Sequence, residues 1–235
     1  MSETLDARVL IVGGTGGIGR ALAERYASLG SDVVITSRDA GRAAAAAAEI
    51  GPNVRGIPLD IAEPEKIAGM LADVGPIDRL LIVAVERDSN TVRDYDLEKA
   101  RRAVTVKLVG YTEIVHTMLD RFSEDASVVI FGGLASERPY PGSTTITMVN
   151  GAVRSMIKTM AVELAPIRFN AIHPGIIADT PAWRDKPEAL EKVRARTPGG
   201  RLAMTEDVVD AVKFLFNNRG VNGVNLVVDA GWMLQ

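Results

Sequence analysis

The chain has 235 residues, of which 47% are hydrophobic and 24% charged, with a formal net charge of −3. This length suffices for one large core, and the mild negative charge excludes the basic surface with which proteins attract nucleic acid or anionic lipid. Because there is no cysteine, a disulfide framework and a thiolate zinc site are excluded. With only two histidines, no metal site is expected.

The first residues, Met1 to Arg8, are polar and contain Glu3 and Asp6. They have neither the basic start nor the apolar core of a secretory signal. The apolar runs of the chain are much shorter than the roughly 20 residues that a membrane-spanning helix needs. We therefore expect a cytoplasmic protein with no membrane or nucleic-acid partner.

Short β-branched runs alternate with longer helical stretches from one end of the chain to the other. Buried strands are predicted at 9–12, 33–36, 80–83, 128–131 and 224–228, and weaker ones at 54–58 and 167–172. Helices are predicted at 17–29, 39–50, 63–73, 98–120, 145–165 and 205–217. Strands that are apolar on both faces indicate a parallel sheet covered by helices on either side. The pattern predicts an α/β fold, a single Rossmann-like doubly wound domain over residues 1–235.

A glycine-rich turn follows the first predicted strand and opens the first helix. Glycine lets a pyrophosphate approach the backbone N–H groups and the partly positive N-terminus of the helix. Because this turn lies between a buried strand and an amphipathic helix, it predicts a dinucleotide site. The residues assigned to that site are Gly13, Thr15, Gly16, Gly17, Ile18 and Gly19.

The second predicted strand ends in Thr36-Ser37-Arg38. A site for NAD usually has a carboxylate here that binds the ribose 2′-hydroxyl, whereas arginine suits a 2′-phosphate. Ser37 and Arg38 therefore predict NADP(H) rather than NAD(H). Asp39 is expected to cap the next helix.

The segment from Gly175 to Arg201 breaks the alternating pattern, because it is rich in proline and charge. Long irregular insertions late in α/β chains often cover the substrate. We interpret residues 176–200 as a substrate lid, and a solvated loop is the alternative.

Three further motifs lie at the positions expected for one enzyme family. Asp60 follows the third strand, Asn170 to Gly175 ends in a Pro-Gly turn, and Asp229-Ala230-Gly231 lies near the C-terminus. With the glycine turn, these motifs make the chain resemble the short-chain dehydrogenase/reductase family over essentially its whole length. The resemblance implies a homodimer or homotetramer and an oxidoreductase. It also implies cofactor contacts from Asp60, Ile61, Ala84, Asn150, Pro174, Gly175 and Ile177.

The resemblance fails at the four catalytic positions of the family. Ile146 lies at the position of its tyrosine and Asn150 at that of its lysine, while Gly133 replaces the serine and Lys107 the asparagine. All four members of the tetrad have therefore changed.

Lys107 and Asn150 fall on the apolar stripes of two long predicted helices. These stripes are Val104, Leu108, Tyr111, Val115 and Met118 on one helix and Val153, Ile157, Met160 and Leu164 on the other. One interpretation is that Asn and Lys have exchanged helices, which keeps an ammonium near the cofactor. In the other, Lys107 extends to water at a helix edge and Asn150 hydrogen-bonds to backbone.

The lost tyrosine leaves the proton donor open. Candidates are Lys107, Tyr140 in its proline-rich loop, His173 beside the Pro-Gly turn, the flanking Thr145 and Thr147, and Glu86 in the cluster 86–88. Each of three candidates also has a structural alternative. Tyr140 could pack within its loop, His173 could have a structural role at a strand end, and Glu86 could belong to a solvated charge cluster.

Three functions are compatible with this sequence. The first is an NADP(H)-dependent oxidoreductase of atypical short-chain type that reduces a carbonyl of a small or medium organic substrate. The second is a catalytically silent NADP(H)-binding protein, since the tetrad is gone while the glycine turn remains. The third is redox-neutral chemistry in the same cleft.

Overall fold

The fold is a fully parallel sheet of seven strands in the order β3-β2-β1-β4-β5-β6-β7. The computed structural model describes residues 7–86 and 88–235. Most of the predicted polar N-terminus, Met1 to Asp6, lies outside the described residues, as does Arg87 of the charge cluster 86–88. The strands are β1 (Arg8–Val12), β2 (Asp32–Ser37), β3 (Val54–Pro58), β4 (Ile77–Ile82), β5 (Phe122–Phe131), β6 (Arg168–Pro174) and β7 (Asn225–Val228). The predicted doubly wound α/β class is confirmed.

Eight α-helices connect or flank the strands in the described part of the chain. They are α1 (Gly17–Ser28), α2 (Ala40–Ile50), α3 (Pro64–Met70), α4 (Leu97–Val104), α5 (Tyr111–Met118), α6 (Thr144–Glu163), α7 (Pro187–Arg194) and α8 (Thr205–Asn217). Asp39 caps α2 by accepting a hydrogen bond from the backbone N–H of Arg42 at 2.6 Å, as predicted. No helix in the described residues is long and apolar enough to cross a membrane.

Two hydrophobic cores lie on opposite faces of the sheet. Alternate residues of β1 enter different cores: Leu10 packs in the core that includes residues of α3, α5 and α6, and Ile11 in the core that includes residues of α1 and α8. Side chains of a strand point alternately to the two faces, which explains why the predicted strands are apolar throughout.

The predicted helix over 98–120 is interrupted. A π-helical turn, Thr105–Gly110, separates α4 from α5. A π turn adds a residue to the helical repeat, so the buried face shifts from the one that a continuous helix would present. Val104 is consequently 38% exposed, contrary to its place in the predicted stripe, while Val106 and Lys107 are buried.

The segment 175–201 is more ordered than the sequence interpretation expected. It contains α7 and a 3-10 turn, Pro198–Gly200, and a β-bridge between Ile177 and Ala203 closes its ends. Pro187 occupies the first turn of α7, a position that suits proline because the N–H it lacks would have no helical partner. The segment that we expected to be an irregular insertion is therefore partly helical.

Candidate active site

Two adjoining cavities lie along the glycine turn at the carboxyl edge of the sheet. The Arg38 cavity, of about 400 Å³, extends from Gly13 to Arg38 and Asp60. The Lys107 cavity, of about 580 Å³, extends from the same glycines to Lys107 and Trp183. In open parallel sheets, ligands bind outside the carboxyl ends of the strands, which is where both cavities lie.

The glycine turn has two kinds of glycine. Gly13 has a φ of +92°, and a Cβ atom there would lie 2.7 Å from the backbone nitrogen of Ala84. A Cβ on Gly19 would collide with the carbonyl oxygen of Gly13. Cβ atoms on Gly16 and Gly17 would instead meet nothing within 4 Å. Gly13 and Gly19 therefore permit close packing of the turn, the helix and the strand. Gly16 and Gly17 leave the backbone open to a pyrophosphate, so the turn fits a dinucleotide.

The far end of the Arg38 cavity is basic. Ser37 and Arg38 line it, and so does Arg42 in the first turn of α2. Sequence reasoning missed Arg42, although its place in the first turn of a helix predicted to begin at Asp39, close after Arg38, is a signal that can be found. On the opposite wall, Asp60 accepts a hydrogen bond from the backbone N–H of Ala62 at 2.9 Å.

Lys107 lies at the inner end of the Lys107 cavity, on the π turn. The residue is only 5% exposed, so it does not extend to water at a helix edge. Its Nζ lies 3.4 Å from the carbonyl oxygen of Gly132 and 5.9 Å from the centroid of the Tyr111 ring. Because burial disfavours the charged form, the pKa of Lys107 is lowered to about 8.

His173 is fully buried on β6, and protein groups engage both of its ring nitrogens. Its Nδ1 accepts a hydrogen bond from the backbone N–H of Gly133 at 3.1 Å. Its Nε2 lies 2.7 Å from Oδ1 of Asn225, and burial lowers the pKa of the ring. The neutral tautomer that donates from Nε2 satisfies both contacts.

The other candidate proton donors do not line either cavity in the described residues, except Glu86. Tyr140 is 56% exposed on its loop. The hydroxyl of Thr145 accepts from Asn90 at 3.2 Å, and that of Thr147 donates to the carbonyl oxygen of Ala135 at 3.1 Å. Glu86 lines the Arg38 cavity but pairs with Arg102 at 2.7 Å.

The Lys107 cavity is otherwise largely apolar. Pro174, Gly175 and Ile177 line it, together with the segment from Thr180 to Trp183. Gly175 allows the Pro-Gly turn to pack on Asp229, since a Cβ at Gly175 would lie 2.6 Å from that of Asp229. The late segment 175–201 thus contributes one wall of the cavity.

Known proteins with the same arrangement identify the family. The model for the family described as Enoyl-(Acyl carrier protein) reductase matches residues 13–233. L-xylulose reductase of Bos taurus is 30% identical and carbonyl reductase [NADPH] 2 of Sus scrofa 28%, each match covering 96% of both chains. The chain belongs to the short-chain dehydrogenase/reductase family. Its members are oxidoreductases that use nicotinamide cofactors.

The same architecture occurs in a solved structure with lower identity. The MalC reductase/Diels-Alderase of Malbranchea aurantiaca superposes with a TM-score of 0.90 at 22% identity, covering 100% of this chain and 98% of the other. At this identity the likeness concerns the fold alone.

The positions expected for the family's catalytic serine and lysine lie against each other here. A Cβ atom on Gly133 would lie 2.7 Å from Nδ2 of Asn150. Asn150 is 4% exposed, and its buried Oδ1 has no hydrogen-bond partner in the described part of the chain. The Asn150 amide therefore fills the space that a serine side chain at position 133 would need.

Proposed function

We propose that this protein is an NADP(H)-dependent oxidoreductase of an atypical short-chain type that reduces a carbonyl of a small or medium organic substrate. The observation that carries the proposal is the position of Lys107. Its buried ammonium lines an apolar cavity that shares its glycine turn with the adjoining Arg38 cavity.

The Arg38 cavity suits the adenosine end of NADP(H). Arg38 and Arg42 supply positive charge for a 2′-phosphate, and Asp60 and Ile61 line the adenine end. Thr15, Gly16 and Gly17 offer backbone N–H groups to the pyrophosphate, and Gly13, Ile18, Gly19 and Ala84 shape the turn. When bound, the cofactor supplies the hydride.

Lys107 is the proposed electrophile and acid. Below a pH of about 8 its Nζ is mostly protonated and can donate to a substrate oxygen in the Lys107 cavity. The carbonyl of Gly132 holds the ammonium in place. Asn150, whose buried Oδ1 has no hydrogen-bond partner in the described residues, is the proposed contact to the ribose or to a water molecule. His173 and Tyr140 are weaker candidates, since one has both nitrogens engaged and the other is largely exposed.

We also propose that residues 176–200 close over the substrate. The wall from Thr180 to Trp183 belongs to this segment, and the ammonium of Lys186 lies 5.1 Å from the Trp183 ring. Closure of such a segment excludes water and strengthens electrostatic interactions inside the site.

Self-association into a homodimer or homotetramer in the cytoplasm completes the proposal. Apolar side chains that are about half exposed or more, such as Val109, Met148 and Val162, support it. Leu234 at the C-terminus is 81% exposed and suits the same role.

The test is a titration with NADPH and NADH followed by a panel of carbonyl compounds at saturating cofactor. We expect tighter binding of NADPH and its oxidation by at least one compound. Lys107→Met should then lower kcat about 10²- to 10⁴-fold, the range typical of a lost general acid. Lys158→Met, which changes an exposed lysine of α6, is the matched control and should leave turnover unchanged. Equal turnover in the two variants would remove Lys107 from the reaction.

A catalytically silent NADP(H)-binding protein is the second candidate function. It is favoured by the contact between Gly133 and Asn150, because the space for a catalytic serine is filled while the glycine turn is intact. Tight NADPH binding without oxidation across the whole panel would support this function, or redox-neutral chemistry, over the first.

A further inference from the structure

The Lys107 cavity combines a buried primary amine with apolar walls. Those walls include Phe131, Pro174, Ile177 and Trp183, and Lys107 is the only lysine or arginine among the described residues that line the cavity. A carbonyl compound bound there would lie beside a nitrogen nucleophile and away from bulk water.

Lys107 also lacks the partner that normally keeps a lysine charged. No carboxylate forms an ion pair with it in residues 7–86 and 88–235, and its neighbours are the Gly132 carbonyl, the Tyr111 ring and the neutral His173. Tyr111 donates its own hydroxyl to the carbonyl oxygen of Ala84 at 2.6 Å, so it is committed elsewhere. A lysine in such surroundings loses its proton more readily and becomes nucleophilic.

We propose that Lys107 captures aldehydes and ketones covalently, by forming an imine within the Lys107 cavity. The neutral Nζ attacks the carbonyl carbon and forms a carbon–nitrogen single bond, while the carbon–oxygen double bond becomes the single bond of a carbinolamine. That single bond then breaks as the second carbon–nitrogen bond forms. The two protons of the amine pass to the carbonyl oxygen, which leaves as water. The resulting carbon–nitrogen double bond involves no net oxidation or reduction, so the step needs no nicotinamide.

This activity goes beyond hydride transfer and does not depend on it. When the imine is protonated on its nitrogen, it withdraws electrons from the carbon atom next to the captured carbon more strongly than a ketone does. The site would therefore suit redox-neutral reactions of small or medium carbonyl compounds, such as proton exchange next to the captured carbon.

The apolar walls make an aromatic aldehyde the natural probe. The intact protein is incubated with benzaldehyde and sodium cyanoborohydride at pH 7 without nicotinamide cofactor, and the modified lysines are mapped by peptide mass spectrometry. The cyanoborohydride reduces the imine to a stable benzylamine. Because burial lowers the pKa of Lys107 to about 8 and the cavity holds the aldehyde beside its Nζ, we expect labelling of Lys107 to exceed that of exposed Lys158 by at least about tenfold.

The map of the unaltered protein is itself decisive, because it requires no variant to fold. Labelling of Lys107 no greater than that of Lys158 would overturn the proposal. Lys107→Arg keeps the positive charge and cannot form the imine, so it should lose the dominant label, whereas Lys158→Arg should retain it. Because NADPH is absent, failure of this test leaves the reductase function intact, and success does not establish it.

Discussion

The ammonium group of Lys107 is compensated by a single long contact to a backbone carbonyl and by an aromatic ring. Burying a charge without an ion pair is costly, and part of that cost is relieved when the group loses its proton. The stability of the whole fold therefore depends on the protonation of one side chain, provided that no cofactor occupies the cavity.

This dependence has a definite sign. The pKa of Lys107 is about 8 in the folded protein and about 10.5 in an unfolded chain, so between these values the unfolded state binds more protons. The free energy of unfolding should rise with pH across that window, whereas below pH 8 the full cost of the buried charge remains. Relative to Lys107→Met, the wild-type protein should gain about 2–3 kcal/mol between about pH 7 and pH 10.

Urea unfolding of both proteins at several pH values measures this difference. Titration of every other group is shared by the two proteins and cancels in the comparison. A difference in unfolding free energy that stays constant with pH would show that Lys107 does not change its charge in this range.

At the scale of single residues, the sequence left open whether Lys107 is buried or extends to water, and it did not predict the partners of its Nζ. Helical periodicity placed Lys107 and Asn150 on inward faces, because both helices have clear apolar stripes. The contact between Asn150 and Gly133 joins residues 17 positions apart through the β5–α6 connection. No local pattern reports such a contact, since it depends on how the loop folds back.

Among the secondary-structure elements, α8 has an unusual C-terminal cap. The guanidinium of Arg168 on β6 donates to the carbonyl oxygens of Leu215 and Phe216 at 2.8 and 2.7 Å. It also donates to those of Asn218 and Val221, at 3.0 and 3.1 Å. The last carbonyls of a helix have no helical partner and a partly negative potential, so one buried cation satisfies them together.

Removing this cap should cost much more than removing a surface arginine. Arg168→Met removes four hydrogen bonds at once and leaves the Phe216 carbonyl without its side-chain donor, so we expect the free energy of unfolding to fall by about 2–4 kcal/mol. Arg219→Met, which removes an exposed arginine paired with Asp125, should cost about 1 kcal/mol or less. Chemical denaturation of both variants checks the contrast, and equal losses would assign the cap no special role.

The elements themselves were predicted unevenly, for physical reasons. Strands β1, β2 and β3 lie within one residue of their predicted limits, because turns rich in glycine or polar residues bound them. The π turn escaped prediction, since its residues fit an uninterrupted helix equally well. Gly110 explains its position: a Cβ there would collide with the carbonyl oxygen of Ile61, so the turn packs directly on the Arg38 cavity wall.

For the molecule as a whole, a bound dinucleotide would connect segments from distant parts of the chain. The cavity residues come from the connections after β1, β2, β3 and β4 and from the late segment 175–201. A ligand that binds only the folded state at 100 times its Kd stabilises it by about 2.7 kcal/mol. For a chain of this size, we expect NADPH to raise Tm by about 5–10 °C.

The two arginines of the Arg38 cavity should determine which dinucleotide produces this shift. NADH at the same concentration should raise Tm less, and replacing Arg38 and Arg42 together by alanine should reduce the NADPH shift to that of NADH. Arg55→Ala changes an arginine beside a separate cavity that includes the starts of β1 and β2, and it should preserve the preference. Differential scanning fluorimetry with each dinucleotide measures the Tm shifts of the wild-type protein and of both variants. A double variant that still prefers NADPH would contradict the assignment.

The contact between Gly133 and Asn150 also constrains how this protein can change over evolutionary time. A serine at position 133 would place its Cβ 2.7 Å from Nδ2 of Asn150, so the buried amide would have to move before the serine fits. Mutations at these two positions are therefore coupled, and the effect of either depends on the residue at the other. Such coupling would slow the loss of the altered active site even without selection for a new activity.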